Sequence, residues 1–323
     1  MEYRSMRGAC GAGLLVVVGS LLCGCSGSNG AVQSLPSSSV AGHEDLSRET
    51  TTAAFYVSDL STSVSIYPTD TNPNDPERLA VLTQEITQSQ GLWVDRQGTL
   101  YVVNGCCPGK PVSVVEFKRG QNTPSLQITE GLNEPGNVAV SSDGTVYVTD
   151  IKSGTDAKLV GVVVLYKRGQ ISPEGTITLP DPTYGLQVGS ILFDAQRNAL
   201  VATLNPENGA VHIFRIPRGS RHPVDMGIQG AAGDALGLDA AGNLYTANAV
   251  STDGTVAVYA PGATEPTRTY SLGPQIADIT VAPDGTLYAT TADNKGVLEV
   301  APGGDTIEKT FEVAGAGIAL GRY

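Results

Sequence analysis

Asparagine and aspartate residues recur at comparable places along this chain of 323 residues. Some follow a short apolar run and others come just before the next one. The residues of this set are Asn104, Asn137, Asp150, Asn205, Asp234, Asn248 and Asp278. Their carboxylate and amide oxygens are the kind of ligand that Ca²⁺ and Mg²⁺ prefer. The same side chains also accept hydrogen bonds from nearby backbone amides in turns, so the pattern allows either a cation site or structural caps.

Two cysteines stand next to each other, Cys106 and Cys107, in a polar stretch after an apolar run. In an oxidising compartment such a pair can form a strained vicinal disulfide, which would stiffen its loop and be readily reduced. The alternative is two free thiols. Intact mass before and after alkylation without reductant separates the two, because two added labels would exclude the bridge.

Other catalytic signatures are missing from the sequence. The three histidines have no metal-binding spacing, so a zinc site is not expected. There is no Gly-x-Ser-x-Gly elbow, no phosphate-binding loop and no His-Glu-x-x-His motif. A lyase or hydrolase would need a positioned general acid or base, and the sequence ranks no carboxylate above another. We therefore assign no catalytic residue.

The N-terminus has the pattern of an export signal. Arg4 and Arg7 precede an apolar run over residues 8–22, which is too short for a comfortable membrane span. The run ends in Leu-Cys-Gly-Cys, which resembles a bacterial lipobox with Cys25 as the lipidated residue. This predicts a signal peptide over 1–24 and a membrane-anchored, extracytoplasmic protein. The alternative is an ordinary secreted protein that is cut nearby.

A flexible tether is predicted over residues 25–52, which are rich in Ser, Gly and Thr and lack apolar periodicity. By resemblance to bacterial lipoproteins, Ser26 favours the outer membrane if the cell has one. Cleavage before Cys25 removes Glu2, Arg4 and Arg7, so the net charge changes from −12 to −13. This acidity argues against nucleic-acid binding. It also predicts that an anionic membrane repels the domain, so that the acyl chains must supply the anchoring.

The composition favours short strands joined by tight turns. The chain contains 39 Gly and 19 Pro with 41% apolar residues, which is enough for a core but unfavourable for long helices. From residue 53 the chain repeats a β-hairpin unit. The clearest copies are residues 91–104, 137–150, 190–203, 236–248 and 278–290. Each needs a residue with positive φ in its turn, expected at Gly98, Gly144, Asn198, Gly242 and Gly285.

Two further strands follow each hairpin, which makes a four-stranded unit. Residues 54–59 look like a second strand without a first one, and residues 317–320 look like a first strand with nothing after it. Each end therefore supplies what the other lacks. This predicts an all-β, six-bladed β-propeller over residues 53–323, with one blade closed by both termini and no open sheet edge at the seam. Trp93, the sole tryptophan, lies in an inner strand and is expected in the core.

The repeat over residues 132–150 resembles the NHL repeat of six-bladed propellers. The resemblance covers about residues 53–323 and implies the fold, but it says little about function. The third copy departs from the pattern, because Val201 replaces the usual Tyr. A metal held at the axis by acidic and amide side chains would also resemble the gluconolactonase propellers, although their ligands cannot be matched here residue by residue.

The polar residues of the first paragraph are expected on one face of this propeller. Loops after the second and fourth strands of each blade open on the same face, and functional residues concentrate on loops held by a rigid scaffold. We expect a non-catalytic module that binds a small ligand or a protein there. One alternative is a metal-dependent lactonase- or lyase-like enzyme that uses Ca²⁺ or Mg²⁺. Another is a structural envelope protein.

Overall fold

The computed structural model describes residues 51–105, 111–153, 159–180, 187–205, 209–247, 253–293 and 296–323. The predicted signal peptide, Cys25, most of the tether, the pair Cys106 and Cys107, and Asn248 lie outside these ranges. Within the described ranges no helix has the length and apolar character needed to cross a membrane. All regular secondary structure that the model describes is β-strand.

Twenty-four strands form six antiparallel sheets of four strands each. The innermost strands, called a, are β4 (Ser89–Val94), β8 (Glu134–Val140), β12 (Gln187–Phe193), β16 (Ala235–Leu238), β20 (Ile276–Val281) and β24 (Gly317–Arg322). The second strands, called b, are β1 (Ala53–Ser58), β5 (Leu100–Asn104), β9 (Val146–Ser153), β13 (Ala199–Leu204), β17 (Leu244–Ala247) and β21 (Leu287–Thr291).

The third strands, called c, are β2 (Val64–Pro68), β6 (Ser113–Phe117), β10 (Leu159–Tyr166), β14 (Val211–Ile216), β18 (Thr255–Tyr259) and β22 (Val297–Val300). The outermost strands, called d, are β3 (Ala80–Leu82), β7 (Leu126–Ile128), β11 (Gly175–Thr178), β15 (Val224–Asp225), β19 (Arg268–Ser271) and β23 (Ile307–Phe311). We number the blades from the sheet that contains β1 (blade 1) to the sheet that contains β23 (blade 6).

The ring is closed by both ends of the chain, as the sequence predicts. Strand β24 pairs with β1 in blade 1, and Ile318 lies opposite Val57. Thr52 and Tyr323 exchange two backbone hydrogen bonds beyond this ladder, of 3.2 and 2.9 Å. Each inner strand also contacts the inner strand of the next blade around the whole ring. The molecule is therefore a six-bladed propeller.

Apolar side chains fill the space between adjacent blades. The described residues form six buried clusters, one at each blade interface. This arrangement follows from the strand pattern, because a radial sheet buries both of its faces against neighbours and needs nearly continuous apolar inner strands. At the seam, Phe55 of blade 1 stacks on Tyr67 and contacts Phe311 of blade 6, so this interface also has a buried apolar cluster.

One predicted turn residue is wrong. In blade 4 the positive φ of 66° falls on Arg197, and not on Asn198. The reason is that this hairpin has the same length as the one in blade 2. The Asp194 amide donates to the Asn198 carbonyl, just as the Asp95 amide donates to the Thr99 carbonyl in blade 2. The third residue after the aspartate must then be left-handed, and in blade 4 that residue is an arginine.

Buried hydroxyl groups join three pairs of blades. Ser58, Thr149 and Thr290 occupy the same position of strand b in blades 1, 3 and 6. Each hydroxyl donates to a backbone carbonyl of the next blade, namely those of Gln90, Gly189 and Ala316 respectively. Each also accepts an amide N–H from its own inner strand. The other three blades have Val103, Ala202 and Ala247 at this position.

The meander gives the propeller two different faces. Strands a and b, and strands c and d, are joined on one side, which we call the turn face. Strands b and c, and each strand d and the next strand a, are joined on the other side, which we call the loop face. The predicted polar residues belong to the loop face.

Candidate ligand-binding face

Asn104 ends strand b of blade 2 and is almost completely buried. Its Oδ1 accepts the Thr87 amide N–H at 3.1 Å, and its Nδ2 donates to the Glu85 carbonyl at 2.7 Å and to Ser113 Oγ at 2.9 Å. The side chain thus holds the connection that brings the chain from blade 1 into blade 2. These contacts are those of a structural cap.

Asp150 caps the connection that brings the chain from blade 2 into blade 3. Its carboxylate is buried and accepts backbone N–H groups from Asn133, at 3.1 Å, and from Glu134, at 2.7 Å. Burial raises the pKa of Asp150, while the two amides act in the opposite direction. Residues about seventeen positions apart in sequence are joined in this way, because the connection into blade 3 passes over the end of its second strand.

The remaining strand-end residues are also engaged locally or lie outside the described ranges. Asp59 accepts hydrogen bonds from the amides and hydroxyls of Ser61 and Ser63. Asn205 is buried, and its backbone closes the following loop through hydrogen bonds with Ala210 and Gly209. For Asn248 the prediction stays untested.

Asn137 and Asp278 occupy equivalent positions in the inner strands of opposite blades, 3 and 6. Both lie where the strand bulges away from its neighbour. In each case Oδ1 accepts the N–H of the next residue, at 2.8 Å for Asn137 and 2.9 Å for Asp278. The second oxygen of Asp278 accepts the Ile318 amide of blade 1 at 3.1 Å. These two side chains are only partly buried and sit at the loop-face end of the axis.

Asp234 lies at the start of the inner strand of blade 5, beside blade 4. Its carbonyl accepts the Ser190 amide of that blade at 3.0 Å. Its carboxylate packs against Gly189, where a Cβ atom would come within 2.7 Å of Oδ2. The absence of a side chain at Gly189 therefore leaves space for the Asp234 carboxylate.

The two carboxyl groups influence one another. The pKa of Asp278 is raised to about 7, chiefly by burial and in smaller part by the nearby Asp234, while the Ile318 and Ile279 amides oppose the shift. Burial also raises the pKa of Asp234. One of the pair can consequently be neutral near pH 7 and donate a hydrogen bond. Nothing in the sequence distinguishes these two carboxylates from the rest, because the packing of blades 5 and 6 brings together residues that are 44 positions apart.

A calcium or magnesium site is not complete in the described residues. No group of three or more His, Cys, Asp or Glu side chains comes together among them. Ca²⁺ takes six to eight oxygen ligands, whereas the Asn137 Oδ1 and both Asp278 oxygens already accept backbone N–H groups. These residues therefore fit a metal poorly.

Trp93 crosses the axis. It belongs to the inner strand of blade 2, yet it packs against the apolar clusters at the interfaces of blades 2 and 3, 3 and 4, and 4 and 5. Its ring meets that of Phe193 edge-on at 6.5 Å. Among the described residues its buried indole N–H has no hydrogen-bond partner. Trp93 thus lies in the core as expected, and its side chain fills the middle of the ring.

The loop face is acidic around the axial residues. Its described loops and strand ends carry carboxylates at Asp59, Glu85, Glu134, Asp234, Asp278 and Asp293, whereas Lys152 is their single Lys or Arg. A surface with one sign of charge attracts partners of the opposite sign and raises their association rate. The electrostatics of the described part of this face therefore favour a basic partner.

Comparison with known proteins supports the fold alone. No protein-family model and no curated protein matches this chain, so its NHL-repeat character stays a prediction. A solved protein of unknown function from Bacteroides caccae is similar with a TM-score of 0.60 and 10% identity, over 83% of this chain and 98% of that one. The WD40 propeller domain of Doa1 is similar with a TM-score of 0.50 and 11% identity, over 81% and 79%. A luciferin-regenerating enzyme is similar with a TM-score of 0.52 and 9% identity, over 70% and 76%.

Proposed function

We propose that this protein is a lipid-anchored, extracytoplasmic propeller of the NHL-repeat type whose loop face binds a basic ligand or a basic surface of another protein. The observation that carries the proposal is the pair Asp234 and Asp278 at the mouth of the axis, on a face whose described part has a single cation. The propeller fold itself is compatible with a binding module and with enzymes, so it does not choose between them.

The position of the pair gives the binding mode. Inner-strand residues converge on the axis, whereas Asn104 and Asp150 are committed to holding the connections between blades. A cationic group that enters the mouth would meet both carboxyls and favour the charged form of Asp278. Binding should accordingly release a proton from Asp278 and strengthen as the pH rises through about 7.

Tetralysine labelled with fluorescein serves as a probe, with binding followed by fluorescence anisotropy. The double variant Asp234→Asn/Asp278→Asn should bind at least about tenfold more weakly and lose the pH dependence. The matched control is Asp239→Asn/Asp284→Asn, which removes two carboxylates of the turn face. If the first variant binds tetralysine like the unaltered protein, or if both variants lose equally, the axial site is excluded.

The second candidate is an enzyme that uses Asp278 as a general acid or base, and one observation favours it. A carboxyl whose pKa lies near 7 is suited to proton transfer at neutral pH. The metal-dependent form of this candidate predicts that millimolar Ca²⁺ or Mg²⁺ raises the melting temperature. An unchanged melting temperature would count against it, while a rise that is lost in Asp278→Ala would support it.

A further inference from the structure

The turn face differs from the loop face in charge. Exposed cations are gathered in the turns of three neighbouring blades, 2, 3 and 4. We call the following six the basic patch: Arg96, Lys118, Arg168, Arg197, Arg218 and Arg221. None of the six forms an ion pair with any residue that the structure describes. In the same turns Lys167 is paired with Glu174 at 3.6 Å, so it is not counted in the patch.

The carboxylates in the same turns accept hydrogen bonds from backbone amides. Asp95 accepts the amides of Gln97 and Thr99 at 2.9 Å each, and Asp194 accepts the Asn198 amide at 2.8 Å. Asp143 accepts the Thr145 amide in the same manner. These three aspartates shape the hairpin turns, whereas the five arginines and the lysine of the patch are exposed. The surface in front of these blades is therefore positive, although the whole chain is acidic.

The patch has a clear boundary. The turns of blades 5 and 6 carry Asp239, Glu265, Asp284 and Asp305 and no Lys or Arg between their strands. The c–d turn of blade 1 carries Asp70, Asp75 and Glu77 with a single cation, Arg78. Arg268, at the start of β19, lies over the Tyr270 ring and donates to the Gly303 carbonyl, so it is held against its own blades. Net positive charge is thus confined to the turns of blades 2, 3 and 4.

The chain reaches the propeller from this same face. Strand β1 begins at Ala53 and is a b strand, so it runs from the turn face to the loop face. Thr52, just before it, is hydrogen-bonded to Tyr323. The segment 25–52 must therefore join the propeller at the turn face of blade 1, which is next to blade 2 of the basic patch. A flexible tether anchored at Cys25 lets this face reach the membrane, and the orientation itself must come from the contacts of the patch.

We propose that the basic patch docks on the anionic lipid headgroups of the membrane that carries the anchor, so that the loop face points away from the bilayer. Such a membrane attracts Lys and Arg close to its surface, and each contributes about a fivefold gain in affinity. Charges are screened beyond about 10 Å at ordinary ionic strength. Strands of five or six residues separate the faces by roughly 15–20 Å, so the loop-face carboxylates are screened from the lipid.

This proposal differs from the expectation drawn from net charge. A total of −13 after cleavage predicts repulsion only if the charges are spread evenly over the surface. The structure separates them, with the acidic turns on blades 5 and 6 and the basic patch on blades 2 to 4. A tilted propeller can therefore approach an anionic surface with its positive half. The inference goes beyond ligand binding at the loop face and does not depend on it.

The test uses the chain from residue 25 onward with Cys25→Ser, so that no acyl chain contributes. The protein is mixed with vesicles of phosphatidylglycerol and phosphatidylcholine, or of phosphatidylcholine alone, and sedimented. We expect binding to the anionic vesicles only, and its loss in high salt. In Lys118→Glu/Arg218→Glu, affinity should fall at least about 25-fold, as two lost contacts predict. The control Lys152→Glu reverses one charge on the loop face and should change affinity less than about threefold, whereas Lys118→Glu alone should lower it at least about fivefold.

Circular dichroism establishes that the variants remain folded, which is expected because Lys118 and Arg218 are exposed and Lys152 is half-buried. The proposal is overturned if the unaltered chain does not bind anionic vesicles or if Lys152→Glu loses as much affinity as Lys118→Glu. A salt-sensitive dimer without vesicle binding would overturn it in favour of a second copy of this chain as the partner. Tetralysine binding at the loop face should survive in Lys118→Glu/Arg218→Glu, so failure of this proposal and failure of the proposed function are distinguishable.

Discussion

Side chains of the same type perform different tasks on the loop face, and their surroundings decide which. Asn104 and Asp150 are buried and saturated by backbone groups of the connections between blades. Asp278 has similar backbone partners but stands partly open to the axis beside a second carboxylate, Asp234. The first two hold loops in place, whereas the third keeps a titratable group at the mouth of the ring.

The raised pKa of Asp278 predicts a pH-dependent stability. The unfolded chain releases this proton near its ordinary pKa of about 4, and the folded protein releases it at about 7. Between these values the folded state binds more protons, so the stability falls as the pH rises and the whole penalty is present above about 7. Asp278→Asn stays neutral, as Asn137 does in blade 3. Relative to the unaltered protein, its free energy of unfolding should rise by about 2–4 kcal/mol across this window.

Urea unfolding at several pH values measures this difference. Any hydrogen bond that the amide loses adds a constant offset, so the slope with pH is the quantity to compare. Asp284→Asn is the control, because the Thr286 amide lowers the pKa of Asp284 and keeps it charged throughout. Parallel curves for Asp278→Asn and the unaltered protein would show that Asp278 titrates normally.

The packing in the middle of the ring depends on Trp93. Trp93→Ala should lower the free energy of unfolding by about 3–5 kcal/mol, because it leaves a cavity among several blades. Trp93→Phe should cost much less, since Phe keeps the contact with Phe193 and removes an indole N–H that has no partner in the described residues. Denaturant unfolding followed by circular dichroism compares the two. Equal losses would mean that Trp93 does not span the axis.

At the scale of the elements, hydroxyl groups of strand b couple blades 1, 3 and 6 to the blade that follows each of them. Thr290 receives the Asp278 amide and donates to the Ala316 carbonyl, and its side chain is fully buried. Removing the hydroxyl would leave two buried backbone groups without a partner. Valine fits the position sterically, because Val103 occupies it in blade 2.

Thr290→Val should therefore destabilise the protein by about 2 kcal/mol, whereas Thr290→Ser should stay within about 1 kcal/mol of the unaltered protein. Serine is the matched control because Ser58 makes the same pair of contacts in blade 1. Equilibrium unfolding in urea gives both values. If valine and serine are equally well tolerated, the hydroxyl contributes nothing and blade packing alone holds this interface.

At the scale of the whole molecule, the seam decides whether the propeller is one cooperative unit. Because β24 closes the ring, the stability of the whole ring depends on how strongly β24 is bound to β1 and packed in blade 1. Ile318 in β24 and Ile279 in the uninterrupted blade 6 are equally buried, at 3% exposure each, and they occupy equivalent positions of strand a. They form a matched pair for measuring the seam.

Ile318→Ala and Ile279→Ala should each reduce the free energy of unfolding by about 2–5 kcal/mol, and by similar amounts. Both truncations remove the same atoms from equally buried sites, so a well-packed seam gives equal losses. Chemical denaturation of the two variants is the measurement. A much smaller loss for Ile318→Ala would indicate that β24 detaches before the ring unfolds.

The local sequence was sufficient for the blades themselves. The Asp-x-x-Gly hairpins and the apolar inner strands predicted four-stranded blades, because turns and strand pairing within a blade depend on residues close together in the chain. The complementary end segments predicted a sixth blade closed by both termini, which the pairing of β24 with β1 confirms. Even here the turn of blade 4 was placed one residue too far along, since Asn is the usual left-handed residue and Arg197 takes that role only because the ladder demands it.

Contacts between blades could be decided only by the tertiary structure. The meeting of Asp234 with Asp278, the reach of Trp93 across the axis and the hydroxyl links of Thr149 and Thr290 all join segments far apart in sequence. Net charge was uninformative for the same reason, because it counts residues without regard to the face on which they lie. The sequence by itself determined how each blade folds, and the ring determined which side chains share a surface.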